Sequence, residues 1–439
     1  MKSIWNKTVC LNSFPVLNSD VSTEVLVIGG GITGLLCAYM LQQAGVPYIL
    51  TEASHICSGT TGYTTAKITS QHGLIYHKLN KKHGSEKTRM YLDAQQNALN
   101  IYKKLCTENE CHFSVCDNYV YATNTGHKLE KEWNTLQTLG FNAAYVKELP
   151  LPLSVTGSIM FPKQAQFHPL MFINSISRNL NIYEHTAVKS IDNNIGYTDH
   201  GKIKASHIII ATHFPFINRH GMYFLKLYQH RSYVLALENP DTPTQLQVGG
   251  MYADEDSAGL SFRNEGNLLL LGGGAHRTGQ KGGNWSVLRE FADQHYPGSI
   301  CRYRYAAQDC MPPDALPYIG NYSSRTRNLY VATGFQKWGM TNAMVAATLL
   351  RDKIIGEKNP YEELFSPSRS VLQPQIAANA LHATINLLTP TIRRCPHLGC
   401  ALKWNPAEHS WDCPCHGSRF TENGKLIDNP AAGDLPYSK

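Results

Sequence analysis

EVLVIGGGITGLLCAYMLQQAGVPYILTE, residues 24–52, is the stretch on which the fold turns. Glu24–Ile28 is a short β-branched run suited to a buried parallel strand. Gly29-Gly30-Gly31-Ile32-Thr33-Gly34 then makes a GxGxxG turn, and the spacing predicts a helix from about Thr33 to Ala44. Gly45 stops that helix and Pro47–Thr51 supplies the next strand. The glycines Gly29, Gly31 and Gly34 permit a tight turn and let backbone N–H groups approach a pyrophosphate at the helix N-terminus. Glu52 ends the second strand, where a carboxylate accepts hydrogen bonds from ribose hydroxyls. Together these make a βαβ unit opening a Rossmann-type sheet, a fingerprint that FAD and NAD share.

Farther along, helical spacing covers Ser85–Cys106 and His168–Leu180, the latter entered through Pro169. Strands are expected around Thr186–Ile191 and Lys202–Thr212. Between 220 and 310, runs such as Arg231–Glu238 and Asn267–Leu271 suggest an antiparallel sheet inserted into the nucleotide fold. Asn328–Thr333 returns to a buried-strand pattern and leads into an Ala-rich helix through about Ile355. Pro367–Pro374 reads as a linker, while VLQPQIAANALHATINLL at 371–388 is partly helical in pattern.

With 439 residues, 42% of them hydrophobic and 17% charged, the chain has material for two or three domains. No apolar run approaches the roughly 20 residues of a membrane span, and the N-terminus carries no apolar stretch of secretory type. A cytoplasmic protein is the default expectation. The net charge of +7 is spread along the chain, as in KLNKKHG at 78–84, and no basic motif with interleaved aromatics points to nucleic acid. Eight of the twelve cysteines are scattered, but four fall between Cys395 and Cys415. There CPHLGC (395–400) and CPCHGS (413–418) give the pattern CxH, fifteen residues, CxxH.

From about Glu24 to Pro367 the chain resembles the D-amino-acid-oxidase-like FAD-dependent oxidoreductases. The resemblance rests on residues 24–52, SGTTGYTTAKITSQHG (58–73), KASHIIIAT (204–212), AQDCMPPDALPYIG (307–320) and NLYVATGFQKWGMTNAMVAATLL (328–350). It implies FAD rather than NAD. It places Thr60 and Thr61 near the pyrophosphate or ring, and Val188 against adenine through its backbone. Gly334, Phe335, Gly339, Met340 and Thr341 would line the flavin, with a helix N-terminus facing its N1–C2=O side. Thr341 stands where sarcosine-oxidase-like members carry a carboxylate-gripping lysine, and Tyr63 where covalent flavoproteins carry a histidine. Non-covalent FAD is therefore expected, with an amine or amino-acid-type substrate other than simple sarcosine. Catalytic candidates are His276 and Arg277, after the Leu-Gly-Gly-Gly-Ala turn, and Lys337 inside the flavin turn; Tyr233 is a weaker one.

The C-terminal pattern resembles the Rieske [2Fe–2S] module of the cytochrome bc type. That implies Cys395 and Cys413 as thiolate ligands of one iron, and His397 and His416 as imidazole ligands of the other. Cys400 and Cys415 match the disulfide that joins the two ligand loops, Ser418 a hydrogen-bond donor toward the cluster, and Phe420 the place of a tyrosine in high-potential relatives. A lower reduction potential is expected from Phe420. Two cysteines and two histidines also suit tetrahedral zinc. Rieske domains normally have several strands before the first ligand loop. Only about 28 residues separate Pro367 from Cys395, which leaves open a module without a cluster.

The expected architecture is α/β: an FAD-binding domain (about 20–90, 150–215 and 310–366), an inserted antiparallel-sheet substrate domain (about 91–149 and 216–309), a linker at 367–390, and a small all-β Rieske-like module at 391–439. The expected function is oxidation of an amine or amino-acid-type substrate by hydride transfer to flavin, with electrons relayed through the cluster to an acceptor the sequence leaves unnamed. Two alternatives stand beside it: a flavin-bearing redox module without an organic substrate, and an NAD-linked dehydrogenase with a zinc-stabilised tail.

Overall fold

The computed structural model describes residues 3–124, 126–256, 259–369 and 373–436. Its first sheet has eight strands, with Val21–Ile28 at the centre between Tyr48–Thr51 and Lys202–Ile210, all parallel. Ile182–Tyr183 extends it on one side, and Leu329–Thr333 on the other, followed by the antiparallel edge strand Tyr318–Asn321. Val25, Leu26 and Val27 are fully buried, because helices cover one face and further strands and loops the other. The helix Ile32–Gln43 packs on Gly339–Ile355, so the beginning and end of the nucleotide fold meet in one core.

Gly29 and Gly34 are dictated by close approach. A Cβ on Gly34 would sit 1.9 Å from the Gly29 oxygen, and one on Gly29, at φ +111°, 2.6 Å from the Ala211 oxygen. The helix expected at Ser85–Cys106 is the second half of Tyr76–Thr107, which breaks at Gly84 (φ 81°, ψ 170°). His168 caps Pro169–Ser177 by accepting the Met171 N–H through Nδ1 at 3.1 Å.

Nine strands form the second sheet, running Ile300–Met311, Tyr228–Glu238, Leu268–Arg277, Ser261–Glu265, Met251–Asp254, Ser114–Ala122, Gly157–Gln166 and Lys67–Ile68, with Ala144–Val146 beside Gly157–Gln166. It is antiparallel except where Met251–Asp254 runs parallel to Ser114–Ala122. Gly157–Gln166, which the sequence ranges grouped with the nucleotide domain, pairs with Ser114–Ala122 in this sheet instead. Tyr228–Glu238 separates two cores: Tyr233, Leu235 and Leu237 face one, Val234 and Ala236 the other.

The C-terminal sheet has four short antiparallel strands, Lys403–Asn405, Ser410–Asp412, Arg419–Thr421 and Leu426–Asp428. In front of it the span read as a linker contains the helix Pro374–Leu388. The Asn386 carbonyl accepts the Ala401 N–H at 3.0 Å, and Arg394 donates to the Leu387, Thr389 and Gly399 carbonyls. A helix thus stands before the first ligand loop, in the stretch whose pattern is partly helical and where Rieske domains normally carry strands.

Candidate functional site

One continuous cavity of about 990 Å³ runs between the nucleotide sheet and the second sheet, large enough for an extended dinucleotide. At one end it is lined by Gly29, Gly31, Glu52 and Val188, at the other by Gly334, Phe335, Gly339 and Met340. Thr60 and Thr61 also line it. The Thr61 hydroxyl accepts the Ile32 N–H at 3.0 Å, while that of Thr60 donates to the Gln308 carbonyl at 2.9 Å. Glu52 accepts from the Gly30 and Ser54 amides at 2.7 and 2.8 Å, which fixes its carboxylate at the strand end. Burial raises its pKa against the pull of these amides.

Helices Ile32–Gln43 and Gly339–Ile355 both start at this cavity, and neither N-cap supplies a side-chain hydrogen bond. Two positive dipole ends therefore face one elongated space. This donor arrangement fits a pyrophosphate at the first helix and an electron-rich ring at the second.

Two expected positions stand back from the cavity. Gly34 packs on Gly29 and acts through the turn. Thr341 is buried, donating to the Thr69 carbonyl at 3.0 Å and meeting His72 Nε2 at 3.0 Å. It ties two segments together where a lining residue was expected. Tyr63 does line the cavity, 6.3 Å from the Tyr305 ring centroid.

The three catalytic candidates separate. Lys337 lines the cavity, and burial lowers its pKa to about 8 against the opposing charges of Asp309 and Asp256. Gln336 and Lys337 both have positive φ, 50° and 70°, a strained pair of the kind that surrounding structure must impose. His276 lies outside the lining, its ring stacked on Tyr233 at 5.8 Å. Arg277 turns away altogether: it donates to the Pro414 carbonyl at 3.3 Å and to Asn379 Oδ1 at 3.0 Å, with its guanidinium 5.0 Å from the Tyr228 ring centroid. It fastens the C-terminal module, so its reading as a catalytic candidate is corrected. The reason is tertiary: the strand ending at Arg277 delivers its tip to the module.

In that module His397 and His416 lie with ring centroids 4.8 Å apart and planes at 88°. Both Nδ1 atoms are buried without a hydrogen-bond partner, whereas His397 Nε2 meets Asn218 Oδ1 at 3.0 Å and the His416 ring bonds the Phe224 backbone. Burial lowers His397 to about 3 and His416 to about 4, keeping both neutral, as metal ligands must be. The Cys395 and Cys413 thiols hydrogen-bond each other, and Ser418 hydrogen-bonds Cys395. Among the described residues, the trio whose ligand atoms all lie within 4.8 Å of one another is Cys400, Cys413 and Cys415. The cysteine pair and the histidine pair therefore do not converge on one point, as a tetrahedral zinc would require. Two paired ends suit a two-iron cluster. The disulfide expected between Cys400 and Cys415 is not formed in the structure; both are buried thiols in the same group of sulfurs.

Sequence reasoning missed how closely the module joins the cavity. Lys425–Asp434 supplies part of the cavity wall, and Asn429 donates to the Thr212 and Phe214 carbonyls at 2.6 and 2.8 Å. Gln229 and Gln308 donate to the His416 and Gly417 carbonyls, each at 2.8 Å. Arg231 forms a two-pronged pair with Glu408, which Arg419 also contacts at 2.9 Å. Burial raises the Glu408 carboxyl, but the two arginines outweigh it and hold it at about 2.

The FAD dependent oxidoreductase (DAO) family model matches residues 24–353. The chain belongs to this family of FAD-dependent oxidoreductases. The Rieske [2Fe-2S] domain model matches residues 387–438, and the protein thus joins an FAD-binding domain to one that binds a [2Fe–2S] cluster. Its sequence is 33% identical, over 99% of this chain and 97% of the relative, to YhfW of Bacillus subtilis, whose name marks it as a Rieske 2Fe-2S iron-sulfur protein. Among solved structures, glycine oxidase from Geobacillus kaustophilus aligns with TM-score 0.65 at 17% identity, covering 80% of this chain and 99% of that one. L-proline dehydrogenase from P. horikoshii aligns with TM-score 0.66 at 18% identity, covering 80% and 98%. These two likenesses are of fold. Among the described residues no helix is long and apolar enough to cross a membrane.

Proposed function

We propose that this FAD-dependent oxidoreductase oxidises an amine- or amino-acid-type substrate by hydride transfer to flavin and relays the electrons through its [2Fe–2S] cluster. FAD, when bound, supplies a two-electron acceptor and the cluster a one-electron carrier. The observation that carries the reading is Gln308, whose backbone borders the flavin cavity while its side chain holds the histidine-bearing loop. Two fold neighbours, a glycine oxidase and an L-proline dehydrogenase, support the substrate class.

Gly29, Gly31 and the Ile32 helix N-terminus hold the pyrophosphate, with Gly34 keeping the turn tight and Glu52 taking the ribose. Val188, which lines the cavity, would lie against adenine. Gly334, Phe335, Gly339 and Met340 hold the ring edge, where the uncapped helix N-terminus stabilises negative charge. Lys337 orients an anionic group of the substrate. The enclosing wall from Lys425–Asp434 excludes water. Cys395 and Cys413 would hold one iron of the cluster, His397 and His416 the other.

Anaerobic addition of amines and amino acids to the holoprotein tests the proposal. The expected result is loss of flavin absorbance followed by the EPR signal of a reduced Rieske centre. Flavin that no amine or amino acid bleaches would overturn the substrate class. Bleaching without a cluster signal would overturn the relay.

A further inference from the structure

The helix Pro374–Leu388 turns Ile376 and Ala383 toward hydrophobic clusters of the protein, yet leaves a second aliphatic row outside. Its buried side chains are Asn379 and Asn386, turned toward the protein, where Asn379 donates to the Leu225 carbonyl at 3.0 Å. Leu381, Ile385 and Leu388, spaced four and three residues apart on the opposite face, are 61, 52 and 76% exposed. Ile392, just beyond the helix, is 86% exposed, and Leu398 on the first cluster loop is 38% exposed. Leu387 connects these regions, its side chain lying 3.8 Å from where a Gly399 Cβ would be. A lone exposed leucine needs no explanation, but a helix that buries amides and presents a row of aliphatic side chains does.

Charge identifies the occupant. From residue 364 to residue 407 the chain contains no Asp or Glu, but it carries Arg369, Arg393, Arg394 and Lys403. Arg369 is paired with Asp314, and Arg394 is spent on backbone carbonyls. Arg393 and Lys403 are exposed. An apolar helical face, in a stretch of chain that has no acid and carries the exposed cations Arg393 and Lys403, matches an anionic phospholipid surface, with the helix lying in the plane of the headgroups.

We propose that Pro374–Leu388 and the adjoining Ile392–Leu398 segment form a peripheral docking surface for anionic membranes. It sets the first cluster loop at the lipid boundary. The surface lies outside the flavin cavity and does not depend on which substrate is oxidised.

Co-sedimentation of the holoprotein with vesicles tests this. The wild-type protein is expected to bind phosphatidylglycerol/phosphatidylcholine vesicles about tenfold better than phosphatidylcholine alone, and less well in high salt. A Leu381→Glu/Ile385→Glu/Leu388→Glu variant, checked by flavin absorbance, is expected to lose the binding. Arg393→Glu/Lys403→Glu is expected to lose most of it. Absence of wild-type binding to the anionic vesicles, or equal binding to both kinds, would overturn the proposal whatever the variants do. A wild-type dimer that the triple variant dissociates would overturn it too, assigning the face to a second copy of the chain.

Discussion

Gln308 Nε2 donates to the Gly417 carbonyl at 2.8 Å, next to the proposed cluster ligand His416, while the Gln308 carbonyl accepts from Thr60 at the flavin cavity. Its Oε1 is held by Thr278 at 2.9 Å, so the side chain has little freedom. One residue thus spans the two redox sites.

Replacing it should uncouple them. Gln308→Leu leaves the buried Gly417 carbonyl unpaired, at a cost of about 1–3 kcal/mol to docking. The expected outcome in anaerobic stopped-flow is unchanged flavin reduction by substrate and slower appearance of the reduced cluster. Equal rates for both steps would show that the junction is only structural.

The buried Arg231–Glu408 pair should make docking acid-sensitive. The folded-state carboxyl, at about 2, lies below its ordinary value of 4.5. The pair's contribution is therefore complete above the ordinary value and lost as pH falls through the folded one. Denaturant titrations between pH 6 and pH 2 should show stability declining over that window, and the decline should be shallower in Glu408→Gln. Arg231→Met, which leaves the buried carboxylate with Arg419 alone, should cost about 1–3 kcal/mol at neutral pH.

Lys337 makes a prediction at the other end of the scale. With burial holding its pKa at about 8, the ammonium is present below that pH and lost above it. For an anionic substrate KM should rise as pH increases through 8. Lys337→Met should raise KM about tenfold at pH 7 and flatten that dependence.

Gly34→Ala tests the nucleotide turn. No rearrangement short of moving the Gly29 carbonyl accommodates a Cβ 1.9 Å away. The expected product is a protein that loses most of its yellow chromophore on purification, measured as flavin released per chain on denaturation.

The nucleotide sheet was legible because its signals are local: a strand, GGGITG and a helix within a few dozen residues. The Rieske module was legible for the same reason, from CPHLGC at 395–400 and CPCHGS at 413–418. Arg277 and Thr341 were misread because their partners, Pro414, Asn379 and Thr69, lie far away in sequence and leave no periodicity. Arg231 and Glu408, 177 positions apart, gave no signal at all. Pro374–Leu388 gave helical spacing, but nothing in its pattern showed that the asparagines would be the side turned inward.

Lys425–Asp434 belongs to the iron–sulfur module and to the flavin chamber at once. Cutting the chain before Cys395 would therefore not leave an intact oxidoreductase minus an accessory. It would open a window onto the nucleotide and strip Arg231 of its counter-ion, so the two halves are not separable parts.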